Sequence, residues 1–176
     1  GKYVLWFDEE KGHCFSYNVA SRKAVNLTAA LTVPVTNEWN DKPDYPASYG
    51  SAGWTENARS VLIYDRFDIW ELEPDGKAAP GNLTQGVGRR EQVRYRYLWL
   101  DPEERYIKSG ETVLLKTFAE KDKSEGLAEM RVQDRTAART LFHADQSLGT
   151  PIKAAEAEMY VMTRGSFTEF PNLWVT

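Results

Sequence analysis

Two histidines, two glutamate pairs and one arginine cluster are the residues whose types could support catalysis or binding in this 176-residue chain. His13 or His143 could act as a general base only beside a nucleophile and an orienting carboxylate. The sequence sets neither next to them, and His13 lies inside a strand pattern, so both read as structural. Glu9-Glu10 and Glu103-Glu104 could hold a metal or an amine, but each pair sits in turn chemistry, where solvated carboxylates are the rule. Asp65-Arg66-Phe67-Asp68 lacks the regularly spaced oxygen ligands of a calcium loop. Around Ser51 the stretch Gly50-Ser51-Ala52-Gly53 has Tyr49 where a Gly-x-Ser-x-Gly nucleophile elbow needs its first glycine. The single cysteine, Cys14, excludes an intrachain disulfide and a cysteine-based zinc site. No catalytic, metal-binding or cofactor-binding residue is assigned, and no cofactor is expected.

Arg89, Arg90, Arg94 and Arg96 form the only basic cluster, beside Tyr95, Tyr97 and Trp99. Basic residues interleaved with aromatics can bind single-stranded nucleic acid. A net charge of −4 opposes that partner and anionic membranes alike. Arginines paired with carboxylates are expected instead, with the aromatic face turned into the core. No apolar run approaches the ~20 residues of a membrane span. Gly1 leads at once into YVLWF, a strand rather than a leader peptide.

The elements that must position these residues are β-strands. Aromatics make up 12% of the chain, with six Trp and nine Tyr, and such rings pack well on pleated surfaces. Strands are expected over 3–7, 13–19 and 25–28, with His13, Phe15, Tyr17 and Val19 on one face. Residues 60–84 read as a hairpin with its exit turn. In it Trp70 and Leu72 point to the core, while Glu71 and Glu73 face out or toward polar partners. Asp65–Asp68 is its polar turn, and Pro74-Asp75-Gly76 turns the chain again. Strict alternation over 92–100 gives another strand. Further ones follow over 112–118, 127–132, 159–163 and 172–176, and 137–142 is a strand edge or a short helical turn. Residues 34–49 form a long loop, exposed or packed by its own Trp39, Tyr45 and Tyr49; 86–91 is a second loop. Small residues before Trp54 suggest a strand close to another backbone. Only 153–158 has helical propensity, and it is too short to stand alone.

About ten short strands joined by tight turns fit a sandwich, a barrel or a propeller. Asn26-Leu27-Thr28 recurs as Asn82-Leu83-Thr84, which decides for repeated units. Both match a glycosylation acceptor, but a repeat explains them as well: Asn turns the chain, Leu packs inward, Thr caps or starts the next strand. The spacing exceeds the ~40–50 residues of common propeller blades by about the length of the 34–49 loop. The expected fold is therefore all-β: a partial β-propeller of three to four blades, 1–176 in one segment. Its units are roughly 1–28, 50–84, 92–133 and 158–176. Strand patterns at both ends make it read as cut from a larger chain.

The strings Trp54-Thr55, Tyr64-Asp65, Asp68-Ile69-Trp70, Pro74-Asp75-Gly76 and Asn82-Leu83-Thr84 resemble the propeller of the prolyl oligopeptidase family of serine peptidases. The likeness is nearest to the dipeptidyl-peptidase-IV-like members. Phe167–Thr176 resembles a propeller segment of the same proteins; the likeness is weaker over 110–150. The resemblance implies a parent peptidase, periplasmic or secreted, whose separate α/β-hydrolase domain carries the Ser-Asp-His triad. In it the propeller gates access and helps bind the peptide substrate. The glutamate pair with which such propellers grip a substrate amine is not assignable here. A propeller-type protein–protein binding module with no peptidase attached is the alternative. The peptidase resemblance implies as partners a peptide substrate through the parent enzyme and the hydrolase domain, and the truncated edges add copies of the chain itself.

Overall fold

The computed structural model describes residues 1–132, 134, 136–157 and 159–175. Four antiparallel sheets follow one another along the chain. The first contains β1 (Tyr3–Asp8), β2 (His13–Asn18) and β3 (Lys23–Asn26) in that order. The second runs β4 (Ser51–Trp54), β5 (Val61–Tyr64), β6 (Ile69–Leu72), β7 (Gly81–Asn82). The third has β8 (Val93–Tyr97), β9 (Thr112–Ala119), β10 (Glu125–Arg131) and β11 (Arg139–Ala144), again neighbours in sequence order. In the fourth, β14 (Tyr160–Gly165) pairs with β12 (Ser147–Leu148), β13 (Ile152–Lys153) and β15 (Asn172–Val175). The fold is all-β.

The sheets stack face to face in the same order. Val61, Ile63 and Leu72 of the second sheet meet Cys14 and Leu27 of the first unit, joined by Val35 from the long loop. Leu62, Tyr64 and Ile69 point the other way, against Tyr95, Val113, Leu115, Ala128 and Met130 of the third sheet. Leu127 and Leu114 on the far side of the third sheet meet Leu148 and Met162 of the fourth. A sheet covered on both faces has no polar side, which is why Val61–Tyr64 is uninterrupted apolar sequence and wholly buried. Burial also pushes the Cys14 thiol up to about 11, leaving it an inert core residue.

The Asn-Leu-Thr strings occupy matching places in the first two units. Leu27 N donates to Cys14 O, and Leu83 N to Ile69 O, both at 2.9 Å. Thr28 Oγ1 accepts from Cys14 N at 3.1 Å, and Thr84 Oγ1 from Ile69 N at 3.2 Å. Asn26 Oδ1 and Asn82 Oδ1 each meet the threonine that follows. Each string thus seals the end of its sheet, with leucine and threonine buried in both. His13 and Asp68, the residues just before Cys14 and Ile69, both bond the threonine hydroxyl.

Several expectations need correction. Residues 86–91 are not a plain loop, since Val87–Glu91 forms α1, a single helical turn. The alternating strand expected over 92–100 ends at Tyr97. Gly53 lies close to the Trp99 indole rather than to another backbone: an added Cβ would sit 2.9 Å from it. Trp99 Nε1 also donates to Ala52 O at 2.9 Å. Of residues 137–142, the strand begins at Arg139 and runs to Ala144 as β11; residues 153–157, too short for a stable helix, form none. Of the two alternatives for the long loop, exposure describes Trp39 and Tyr45, while Tyr49 is half-buried. On the first sheet the buried face is Cys14 and Ser16, while Phe15 and Tyr17 lie on the more open one. Trp70 and Leu72 share the inner face as expected, Trp70 half-buried; Glu71 on the opposite face accepts from Ser60 Oγ at 2.7 Å, and Glu73 is exposed. Glu158 and Thr176, from the expected 153–158 and 172–176 segments, lie outside the described residues.

The two threonines should differ in worth. Thr84→Val removes a donor from a buried carboxylate, whereas Thr28→Val deprives no carboxylate of a donor. Thr84→Val should cost about 1–3 kcal/mol and Thr28→Val less, read as urea midpoints with unchanged slope; equal losses would contradict the assigned hydrogen bonds.

Candidate functional site

Turn chemistry places Asp65–Asp68 between β5 and β6, yet all four residues are buried. A carboxylate withdrawn from water must meet donors on its lone pairs. Asp65 Oδ1 accepts from Phe67 N at 2.6 Å and Asp68 N at 2.8 Å, and Oδ2 from Trp70 Nε1 at 3.0 Å. Asp68 Oδ1 accepts from Thr84 Oγ1 at 2.5 Å and Gly88 N at 3.0 Å, and Oδ2 from Arg89 N at 3.1 Å. Asp68 thus caps α1 from a neighbouring turn, where helix dipole and unpaired N–H groups favour an anion. Only glycine fits at position 88, because a Cβ there would lie 2.8 Å from both Asp68 Oδ1 and Val93 O. With every oxygen taken, neither aspartate is placed to exchange a proton with a substrate. They are structural anchors.

Arg66 projects from this turn toward the third sheet and the 34–49 loop. Its Nε and Nη2 form a two-pronged pair with Glu120, at 3.1 and 2.5 Å, with both side chains nearly buried. Its guanidinium also lies 3.3 Å from the Trp39 ring centre. Arg89 pairs with Glu38 at 2.6 Å and stands 3.6 Å from Asp65; the Glu38 hydrogen bond raises its already high pKa. Arg96 donates to the carbonyls of Tyr95, Asp65 and Arg66, and its burial lowers its pKa. Arg90 pairs only with Glu91, in solvent. The arginine cluster divides accordingly. Arg89, Arg90 and, at 3.6 Å, Arg94 meet carboxylates as expected, whereas Arg96 is held by backbone carbonyls. Tyr95 and Val93 go into the core, and Tyr97 packs edge-on to Trp99.

Arg94 differs from the rest. Its guanidinium lies 4.2 Å from the Phe118 ring centre, and Nε stands 3.6 Å from Glu120 Oε1. None of its nitrogens makes a hydrogen bond among the described residues, and its side chain is 40% exposed. It lines an open hollow of about 230 Å³ with Trp39, Phe118, Lys123, Tyr49 and the Arg66–Glu120 pair. The sequence pointed to Arg94 through the basic cluster. Arg66, Trp39, Glu120 and Lys123 were missed as a group because they come from three distant segments.

His13 stays structural, bonded to Thr28 Oγ1 at 2.8 Å. His143 does have a hydroxyl in reach: Ser124 Oγ lies 2.5 Å from its Nε2. That serine donates its proton to Asp122 Oδ1, also at 2.5 Å, a contact that lowers the Asp122 pKa. The carboxylate therefore holds the serine, leaving His143 Nε2 to act as donor; an acyl-transfer triad needs the carboxylate on the histidine. Glu9 and Glu10 are exposed, and Glu104 bonds Lys108 Nζ at 2.6 Å. Among the described residues no group of three or more metal-binding side chains assembles, and no helix is long and apolar enough to cross a membrane.

No protein-family model matches the chain, and no curated protein or solved structure gives a match to it.

Removing one partner of a nearly buried ion pair leaves the other charge uncompensated. Glu120→Gln should cost about 3 kcal/mol by leaving the nearly buried Arg66 charge without its partner, and replacing both partners (Arg66→Met with Glu120→Leu) should restore most of it. Denaturant midpoints of the three variants check this; a near-neutral Glu120→Gln would show the pair to be incidental.

Proposed function

We propose that residues 1–176 are a non-catalytic β-propeller segment of a serine peptidase of the prolyl oligopeptidase family. The observation that supports this reading most is the repeat of one sealing device in two consecutive sheets, within a stack of antiparallel sheets ordered along the chain. Propeller blades are such sheets packed face to face around a ring. The family-like strings fall at structural joints. Tyr64-Asp65 and Asp68-Ile69-Trp70 frame the buried turn, and Asn82-Leu83-Thr84 closes the sheet. In the parent, a separate α/β-hydrolase domain performs peptide hydrolysis, and the propeller limits access and contributes binding contacts.

An antibody raised against the chain should recover, from the source cells, a larger protein labelled by a fluorophosphonate. The isolated chain, Ser124 included, should take no label. A native protein that carries this segment and stays unlabelled would favour the alternative, a binding module without a peptidase.

That alternative and the proposed reading share one feature, the open outer faces of the end sheets. Val4 and Trp6 pair across β1–β2 with Tyr17 and Phe15 on one exposed aromatic face. At the other end Leu173 and Val175 are exposed. Apolar faces of this kind serve as contacts. The isolated chain should therefore self-associate as its concentration rises. Light scattering showing a strict monomer across a hundredfold range would contradict this.

A further inference from the structure

We propose that the hollow between Trp39 and Phe118 is a binding site for a carboxylate carried on an apolar stem, as a peptide presents at its C-terminus or on an acidic side chain. The site does not depend on whether a hydrolase domain accompanies the chain. It rests on an imbalance of donors. Arg66 spends its guanidinium on Glu120 and on the Trp39 ring, so Glu120 is already occupied. Arg94, on the same rim, is aligned by the Phe118 ring and by an ion pair of its Nε with Glu120 Oε1 at 3.6 Å, yet it donates no hydrogen bond among the described residues. A guanidinium carries five donors in a rigid fork matched to a carboxylate. Here the fork is oriented by a ring and a carboxylate, and it makes no hydrogen bond among the described residues.

Its neighbours favour the same ligand. Lys123 Nζ is anchored to Glu120 O at 2.7 Å and lies 5.9 Å from the Phe118 ring centre, a second cation beside Arg94. Tyr49 Oη accepts from Glu38 N at 2.9 Å, which leaves its own proton to donate. Three cations, Arg66, Arg94 and Lys123, face one carboxylate across the hollow, so the rim is locally positive on a chain of net charge −4. A single negative charge balances part of that excess, whereas a doubly charged phosphate would also meet Glu120 at close range. The walls, Trp39 at 67% exposure and the Phe118 ring, offer apolar surface to the stem behind the charge.

Titration calorimetry at low salt tests this with Ala-Ala-Phe as the free acid, the same peptide as its amide, N-acetyl-Ala-Glu-Ala amide, and inorganic phosphate. The free acid, the glutamyl peptide or both should bind, and the salt dependence should be that of a charge contact. Binding of only one assigns the source of the carboxylate. Ala-Ala-Phe amide should bind at least roughly tenfold more weakly than the best carboxylate. Arg94→Gln should lose roughly tenfold, with a denaturation midpoint little changed because its ring contact and ion pair are partly exposed; Lys123→Gln should give an independent, smaller loss, and Arg90→Gln none. Equal binding of acid and amide, tighter binding of phosphate, no binding up to about 10 mM, or unaltered affinity in both Arg94→Gln and Lys123→Gln would each overturn the proposal.

Discussion

A buried carboxylate is costly unless donors surround it, and the second sheet is assembled around two. Asp68 gathers a threonine from the end of its own sheet and two N–H groups from α1. Asp65 gathers its own turn and the indole of Trp70. Those contacts fix the direction in which the chain leaves the sheet and enters the third. They also fix the backbone carbonyls of Asp65 and Arg66 against the Arg96 guanidinium. Arg66 is then carried on a turn that cannot swing, which is why it can hold Glu120 and support the Trp39 indole at once.

The first unit has no carboxylate at the matching place. Where the second has Asp68, it has His13, and each bonds the hydroxyl of the threonine that ends its string. The backbone exchange through Leu27 and Leu83 is the same in both. One geometry therefore accommodates an aspartate and a histidine. In the second unit two N–H groups of α1 complete the carboxylate's shell of donors. That contact places the arginine-rich segment beside the second sheet.

Within that region the arginines are not equivalent. Arg89 and Arg66 hydrogen-bond carboxylates, Arg96 hydrogen-bonds carbonyls, and Arg94 meets a ring and, at 3.6 Å, a carboxylate without a hydrogen bond among the described residues. Saturated guanidiniums brace structure, because each bond they form would have to be surrendered to a ligand. An unsaturated one that is already oriented gives up little on binding. Position on β8 decides between these cases: Arg96 faces the Asp65–Asp68 turn, while Arg94 lies across Phe118 of β9 at the rim.

Local rules were enough to read the strand pattern, the hairpin at 60–73 and the repeat of Asn-Leu-Thr, since alternation, turn residues and short strings act over a few neighbours. They also placed Trp70 and Leu72 on one inner face and put aside His13 as a base. Burial on both faces of the second sheet was legible as the apolar run at 61–64. Tertiary structure alone decided that the polar turn Asp65–Asp68 is buried, that residues 87–91 form a helical turn, and that Ser124 reaches His143 while its proton goes to Asp122. It alone brought Trp39, Arg66, Arg94 and Glu120 to one hollow. Those outcomes depend on donors and rings supplied from distant segments, and no window along the chain contains both halves of a contact such as Arg66 with Glu120.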